Sequence, residues 1–332
     1  MNTPTTSPAR TATLAVVGWS PEAADAVAAL QAAGAYRAVG IADASGAALV
    51  RARRDTGLAC HQQVRQFLAA AEYDAVLVGV PGPEAPRMAA ARGADLLVLP
   101  CAVDIETIEA AVDATRTHGV RLAVVRPEAH DAGISDLVRL VTTDPEWAPR
   151  YLDLTVEGPA ETERLLGAAI AHALRLAPEK HGLVRASTWT GDTASLLRAV
   201  DASVLGDRVQ IHLRVRHAPR SYVRIVGDAV GGAFELRIAE HEATLAYTSR
   251  AGERTQYPPE WRDHWAVEAH RVAFADDALH ARETAALLSA IVRAAATGEP
   301  QATDCCTRPE LRILEGRGQS QHSRANLRLV VS

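Results

Sequence analysis

A chain of 332 residues is long enough for two domains with separate cores, and 48% hydrophobic against 23% charged residues excludes a disordered or fibrous class. The formal charge of -5 gives no general electrostatic reason to bind nucleic acid or an anionic membrane, so small molecules and other proteins are the expected partners. Four cysteines, Cys60, Cys101 and the adjacent Cys305-Cys306, lack CxxC spacing, which argues against a zinc ribbon or a thioredoxin-type site and for a reducing, cytoplasmic setting with no metal.

Residues 1–12 are polar and read as a flexible leader, and no stretch approaches the roughly eighteen apolar residues of a membrane span. Alanine- and arginine-rich usage with few lysines points to a GC-rich bacterial genome. From Thr13 the hydrophobic period predicts alternating strands and helices: a strand to Gly18, a helix from Pro21 to Leu30, and a strand Ala38-Val-Gly-Ile-Ala42 ending at Asp43. A helix to Thr56 closed by Gly57 follows, then a helix from Gln62 to Ala70 and a β-rich run from Asp74 to Pro81. A helix across 85–92, a strand across 95–99, a helix across 104–118 and a strand across 120–125 complete the first unit. That alternation predicts a Rossmann-like, doubly wound parallel sheet over 13–127.

Past Pro127 the pattern changes, and 128–332 reads as an α+β domain for substrate binding and oligomerisation. Helices are predicted near 134–141 and across 162–176. Strand-like runs follow at 151–156, 183–190, 208–216, 221–226, 233–238 and 243–248. Alternation in Val209-Gln-Ile-His-Leu-Arg-Val-Arg216 separates an apolar from a polar face, as expected for an open mixed or antiparallel sheet with helices on one side. A single long helix is predicted over 265–295 and a last one after Pro309.

The chemistry centres on the first turn. Asp43 lies about twenty-five residues beyond Gly18, near the place where a Rossmann unit puts the carboxylate that accepts from a ribose. The same residue also reads as a strand-end cap. The turn itself is Gly18-Trp-Ser-Pro-Glu22 in place of G-x-G-x-x-G, which sets an indole and a proline where backbone must approach a pyrophosphate. Gly18, Trp19, Ser20, Asp43 and Pro81 are therefore the candidate cofactor contacts, for NAD in preference to NADP because Asp43 would repel a 2′-phosphate.

In order and spacing the chain resembles the Gfo/Idh/MocA family of oxidoreductases. The resemblance is carried by Leu14 to Gly18, Ala38 to Asp43, Asp74 to Pro81, the glycine-bounded Val226-Gly-Asp-Ala-Val-Gly-Gly-Ala-Phe-Glu-Leu236, and Ala295 to Pro300 with Arg308 to Glu315 behind it. It implies a nucleotide-binding domain followed by an open sheet, and it locates three departures. A Glu-Lys-Pro signature whose lysine contacts nicotinamide ribose and substrate corresponds here to Leu99-Pro100-Cys101. An Asp and a His four apart on a helix, one turn that puts both on one face for proton transfer, correspond to Gly167 and Ala171. A polar trio at the strand ending in Pro81 corresponds to Val80-Pro81-Gly82.

Weak catalytic candidates remain in His172, displaced by about 100° around the helix, in His130 and in a Cys101 thiolate; the bland readings are structural histidines and a small buried filler. Trp261, His264, Trp265 and His270 lack a metal-pair spacing and read as packing at a helix start. Arg214, Arg216, His217, Arg220 and Arg224 read as a solvated face around one turn, or as a receiver for an anion. Two functions follow: a pseudo-oxidoreductase kept for small-ligand binding or for pairing with an active homologue, with no cofactor, and a working NAD-dependent oxidoreductase on a sugar-like or cyclic alcohol with a relocated proton relay. Either is expected to associate through the C-terminal sheet, whose exposed face is expected to carry apolar residues.

Overall fold

The structure, a computed structural model, describes residues 11–102, 104–127, 131, 133–160, 162–178, 181–190, 197–239, 242–259 and 263–303. His130, Trp261, Cys305, Cys306 and the helix expected after Pro309 lie outside these residues, as does the side chain of Cys101.

The first unit runs β1 (Ala12–Val17), α1 (Pro21–Ala32), β2 (Tyr36–Ala42), α2 (Gly46–Thr56), β3 (Cys60–His61), α3 (Val64–Ala70), β4 (Ala75–Val78), α4 (Glu84–Ala91), β5 (Asp95–Val98), α5 (Ile105–His118) and β6 (Leu122–Val124). All strand pairs are parallel, in the order β3-β2-β1-β4-β5-β6. This is the doubly wound order whose direction reverses between β1 and β4, so that a crevice opens at their carboxyl ends. Helices cover both faces, and β4, β6 and the last four residues of β1 are buried throughout, as their unbroken apolar runs require.

One local expectation fails here. The helix predicted from Gln62 begins only at Val64, because the preceding residues pair with β2: the Ile41 and Asp43 N–H groups donate to the carbonyls of Ala59 and His61 at 3.0 and 3.1 Å. Without that short strand, two edge donors of β2 would lack partners.

The second unit adds α6 (Ile134–Thr143), β7 (Pro149–Gly158), α7 (Thr162–Leu176), β8 (His181–Thr190), β9 (Leu197–Gly206), β10 (Gln210–His217), β11 (Tyr222–Ala229), β12 (Gly232–Ala239), β13 (Glu242–Ser249), β14 (Arg254–Tyr257), α8 (His264–Val272), α9 (Ala278–Thr297) and β15 (Gln301–Ala302). The sheet order is β14-β13-β12-β11-β7-β10-β9-β8-β15, with β7 and β10 parallel and the other pairs antiparallel. It is therefore the expected mixed sheet, with α7 and α9 packed on one face. The hairpin β11–β12 is the expected glycine-bounded one. Gly227 stands opposite Phe234, whose ring covers the space a Cβ would take and stacks on Trp147, 5.7 Å between centroids.

Four further differences have physical causes. Strand β9 escapes the pattern because Ala and Asp dilute its β-propensity; pairing with β8 and β10 on both sides holds it. Strands β14 and β15 are short edge strands with little apolar content. The basic residues of β10 and β11 flank one short connection, but it crosses the end of β7, which lies between those strands; Arg214 faces Asp153 at 3.3 Å and Arg224 faces Glu235 at 2.8 Å. The helix predicted over 265–295 is broken into α8 and α9.

That break seals the edge strand β6. Asp277 donates its N–H to Leu122 O at 2.6 Å and accepts from Val124 N at 2.9 Å, while Arg271 donates to Val124 O at 2.6 Å. Arg271 also joins Glu268, fully buried, to Asp277. A continuous helix could not lay this network along the strand.

The outward face of the larger sheet carries Asp153, Asp201, His212, Arg214, Arg224, Glu235 and Arg237, linked by ion pairs. It is charged where the sequence led us to expect apolar residues. No helix among the described residues is long and apolar enough to cross a membrane.

Candidate functional site

Gly18, Ser20, Asp43 and Pro81 stand where β1, β2 and β4 end, together with the backbone of Trp19. Gly18 takes φ 87°, a conformation that turns the chain sharply out of β1, and its Cα packs so closely on Gly79 and Val80 beyond β4 that no side chain fits. Both strand ends are thus closed on each other by backbone. Trp19 is turned inward and buried in the core cluster that holds Val27, Ala269 and Val272, with Trp265 packed against it. The expectation that its indole stands in the crevice is corrected by this packing.

What the indole leaves open, hydrogen bonds close. The Asp43 carboxylate is 7% exposed and accepts from Trp19 N through Oδ2 and from Ser45 N through Oδ1, each at 2.7 Å. Ser20 Oγ caps α1 by accepting from Ala23 N at 3.1 Å, and Ser20 O accepts from Ala24 N at 3.0 Å. Of the N–H groups at this turn, those of Trp19 and Ala23 are taken up by Asp43 and Ser20, and Pro21 has none to offer a pyrophosphate. Pro81 is exposed, and the loop behind it is anchored by Gly82 N donating to Thr107 Oγ1 at 2.7 Å.

A carboxylate already stands at the first turn of α1. Glu22 is paired with Arg164 of α7 at 2.8 Å, a contact spanning the two units, and its Oε2 is buried without a partner. An anion at a helix N-terminus is favoured by the helix dipole by roughly 0.3–1 kcal/mol, and this chain supplies its own. A dinucleotide seated here would bring its phosphates to the first turn of α1, where Glu22 stands, and its ribose to Asp43, which already accepts from two backbone donors.

Deeper between the units lies a cavity of about 390 Å³. Pro100, Gly167 and Ala171, the positions at which the resemblance led us to expect a lysine, an aspartate and a histidine, all line it. His172 lines it too, because Gly167, Ala168, Ala171 and His172 form two i, i+4 columns of one helical stripe. Its displacement along α7 therefore does not take it out of the cavity. His172 is 3% exposed with Nδ1 lacking a partner; burial first, then the nearby Arg175 and Arg126, push its pKa down to about 3. On α9, His280 is pushed down to about 4, chiefly by burial and by Arg126. Both rings are neutral near pH 7.

Arg126, also buried and lining the cavity, has its backbone N–H held by Glu268 Oε1 at 2.6 Å. Glu268 and Arg271 thus tie the seam of α8, β6 and the cavity wall together. Sequence reasoning missed Arg126, Arg164, Glu22 and Glu268. Glu22 sat in plain view as an acid in a first turn, whereas its partner lies 142 residues away with no motif to announce it. His264 starts α8 beside the cap Asp263 and is 3.8 Å from Asp131, and among the described residues no cluster of His, Cys, Asp and Glu could hold a metal ion.

Neither a family model nor a curated protein matches this sequence significantly. Solved structures do match in fold. An oxidoreductase from Agrobacterium radiobacter in complex with NAD+, L-tartaric acid and magnesium superposes with a TM-score of 0.73 at 13% identity, over 89% of this chain and 99% of that one. An NAD-binding oxidoreductase from Klebsiella pneumoniae gives 0.75 at 14%, over 89% and 99%. The WlbA dehydrogenase from Bordetella pertussis, in complex with NADH and UDP-GlcNAcA, gives 0.71 at 17%, over 88% and 98%. The chain shares the fold of these oxidoreductases, an N-terminal parallel six-stranded sheet followed by a mixed sheet with helices, as the resemblance implied.

Proposed function

We propose that this protein is a pseudo-oxidoreductase of Gfo/Idh/MocA type, one that keeps the fold to bind a small ligand in the interdomain cavity or to pair with a partner subunit, without transferring hydride. One observation carries the reading: the groups a dinucleotide would need at the switch point are committed to each other, Trp19 N to Asp43 and Glu22 to Arg164. The cavity supports it further, since no acid or base with a pKa near neutrality stands among Pro100, Gly167, Ala171 and His172. Isothermal titration of the full chain with NAD, NADH, NADP and NADPH tests it. No saturable heat is expected, and a 1:1 isotherm at micromolar concentration would refute it.

The second reading, a working NAD-dependent oxidoreductase on a sugar-like or cyclic alcohol, draws on the NAD+ and NADH named with the structural neighbours and on His172 in the cavity wall. A ring whose pKa is near 3 is a feeble proton acceptor at neutral pH, which is why this reading ranks second. In that case Asp43 would select NAD over NADP. Association, with a second copy or an active homologue, belongs to the same proposal and would run through the charged face of the larger sheet; a monomer by light scattering at high micromolar concentration counts against it.

A further inference from the structure

Burial divides the interdomain cavity into a mouth and an inner end. Resting on the small-ligand reading above, we propose that the inner end takes a neutral alcohol, a compact molecule with an apolar body and one hydroxyl group set on His172.

At about 390 Å³ the cavity falls at the small end of the roughly 300–1,000 Å³ of small-molecule sites. Ile108, Val124, Val156, Ala171 and Ala281 line it and are each at most 5% exposed, so the inner wall is largely apolar. Gly167 and Ala168 on α7 add no polar side chain to it. Against such a wall a few polar groups decide what binds.

Two of the polar groups set inward are already occupied. Thr284 donates its hydroxyl to His280 O at 2.8 Å, and Arg126 is engaged with the protein itself. His172 differs, since it is almost wholly buried while its Nδ1 has no hydrogen-bond partner. A buried polar atom left in that condition is penalised, and a ligand group that pairs with it removes the penalty. Burial above all, with Arg175 and Arg126 adding to it, holds the ring neutral at pH 7, so it offers a hydrogen bond and no charge. A hydroxyl both donates and accepts, and so satisfies Nδ1 in either tautomer.

The charged residues of the lining do not call for an ion. Arg126 and Arg164 are matched in number by Asp131 and Glu157. Arg164 is in addition paired with Glu22 at 2.8 Å, and Asp131 is engaged with the protein and lies 3.8 Å from His264. An ion entering the inner end would lose its hydration against apolar walls with no surplus of opposite charge in the lining to replace it. A polyol would bury further hydroxyls against the same walls.

Four derivatives of one ring test this on the full chain by saturation-transfer NMR titration: cyclohexanol, chlorocyclohexane, myo-inositol and cyclohexanecarboxylate. Cyclohexanol is expected to bind saturably and at least about fivefold tighter than myo-inositol and the carboxylate. His172→Leu, checked for an unchanged circular dichroism spectrum, is expected to weaken cyclohexanol by about threefold to tenfold, the loss of one neutral hydrogen bond, and to change chlorocyclohexane, which has no hydroxyl, by less than about twofold. His172→Asn, which keeps a neutral hydrogen-bonding group, should weaken cyclohexanol less than His172→Leu does. Myo-inositol or the carboxylate binding as tightly as cyclohexanol, or a His172→Leu chain that holds cyclohexanol unchanged or loses cyclohexanol and chlorocyclohexane alike, would overturn the alcohol class and leave the small-ligand reading standing. No saturable signal from any of the four would overturn both.

Discussion

Replacing Asp43 by Ala removes an acceptor that holds two backbone N–H groups, and the consequence follows from its geometry. Both bonds are 2.7 Å, and the one to Trp19 N is buried. A hydrogen bond to a charged group contributes about 1.5–3 kcal/mol when its loss leaves a buried donor, and less when water can replace the acceptor, as at the half-exposed Ser45. Asp43→Ala is therefore expected to cost about 2–4 kcal/mol. Asp43→Asn, which keeps a single carbonyl oxygen, should recover about half of that. Urea denaturation followed by tryptophan fluorescence reads both values, and Trp19 is a reporter placed at the site itself. A loss within about 0.5 kcal/mol for Asp43→Ala would show that the carboxylate is not the lock of this turn and is available to a ribose, undoing the argument against a dinucleotide.

Three other consequences concern the fold and the cavity. His172 and His280 have pKa values pushed below the usual 6.5, to about 3 and about 4, so the unfolded chain binds more protons between those values and 6.5; stability is complete above about pH 6.5 and falls as the pH drops, by about 1.4 kcal/mol per pH unit for each ring. The variant His172→Leu should flatten that slope by one proton, and an unchanged slope would contradict the assignment of His172 as a buried neutral ring. Gly227→Ala drives a Cβ into the Phe234 ring and is expected to cost about 1–3 kcal/mol by chemical denaturation; a neutral effect would mean that the ring moves without loss. Arg271→Ala removes the guanidinium that donates to both oxygens of the fully buried Glu268 and should cost roughly 3–5 kcal/mol, and a loss under about 1 kcal/mol would refute the role given to that network.

The architecture was legible because it is written in short-range patterns. Unbroken apolar runs marked β1, β4 and β5, and Gly57 and Gly119 marked the ends of α2 and α5, where both take positive φ. The helix over 162–176 emerged with its predicted bounds. Elements held by long-range partners did not show. Strand β9 needs two neighbours, β3 answers the needs of β2, and the break between α8 and α9 exists only because β6 has an edge to seal. The site divided along the same line. Absence of a lysine at Pro100 and of a proton-handling pair at Gly167 and Ala171 could be read directly, whereas the inward turn of Trp19 and the bridge from Glu22 to Arg164 depend on how the two units meet.

The central claim is that the dinucleotide crevice is filled by the chain's own hydrogen bonds and its own carboxylate. A crystal structure of the protein grown with millimolar NAD tests it most directly. The account predicts Glu22 on Arg164, Asp43 on Trp19 N and no dinucleotide density over the carboxyl ends of β1 and β2; a dinucleotide with its ribose on Asp43 and its phosphates at Trp19 and Ser20 would contradict it.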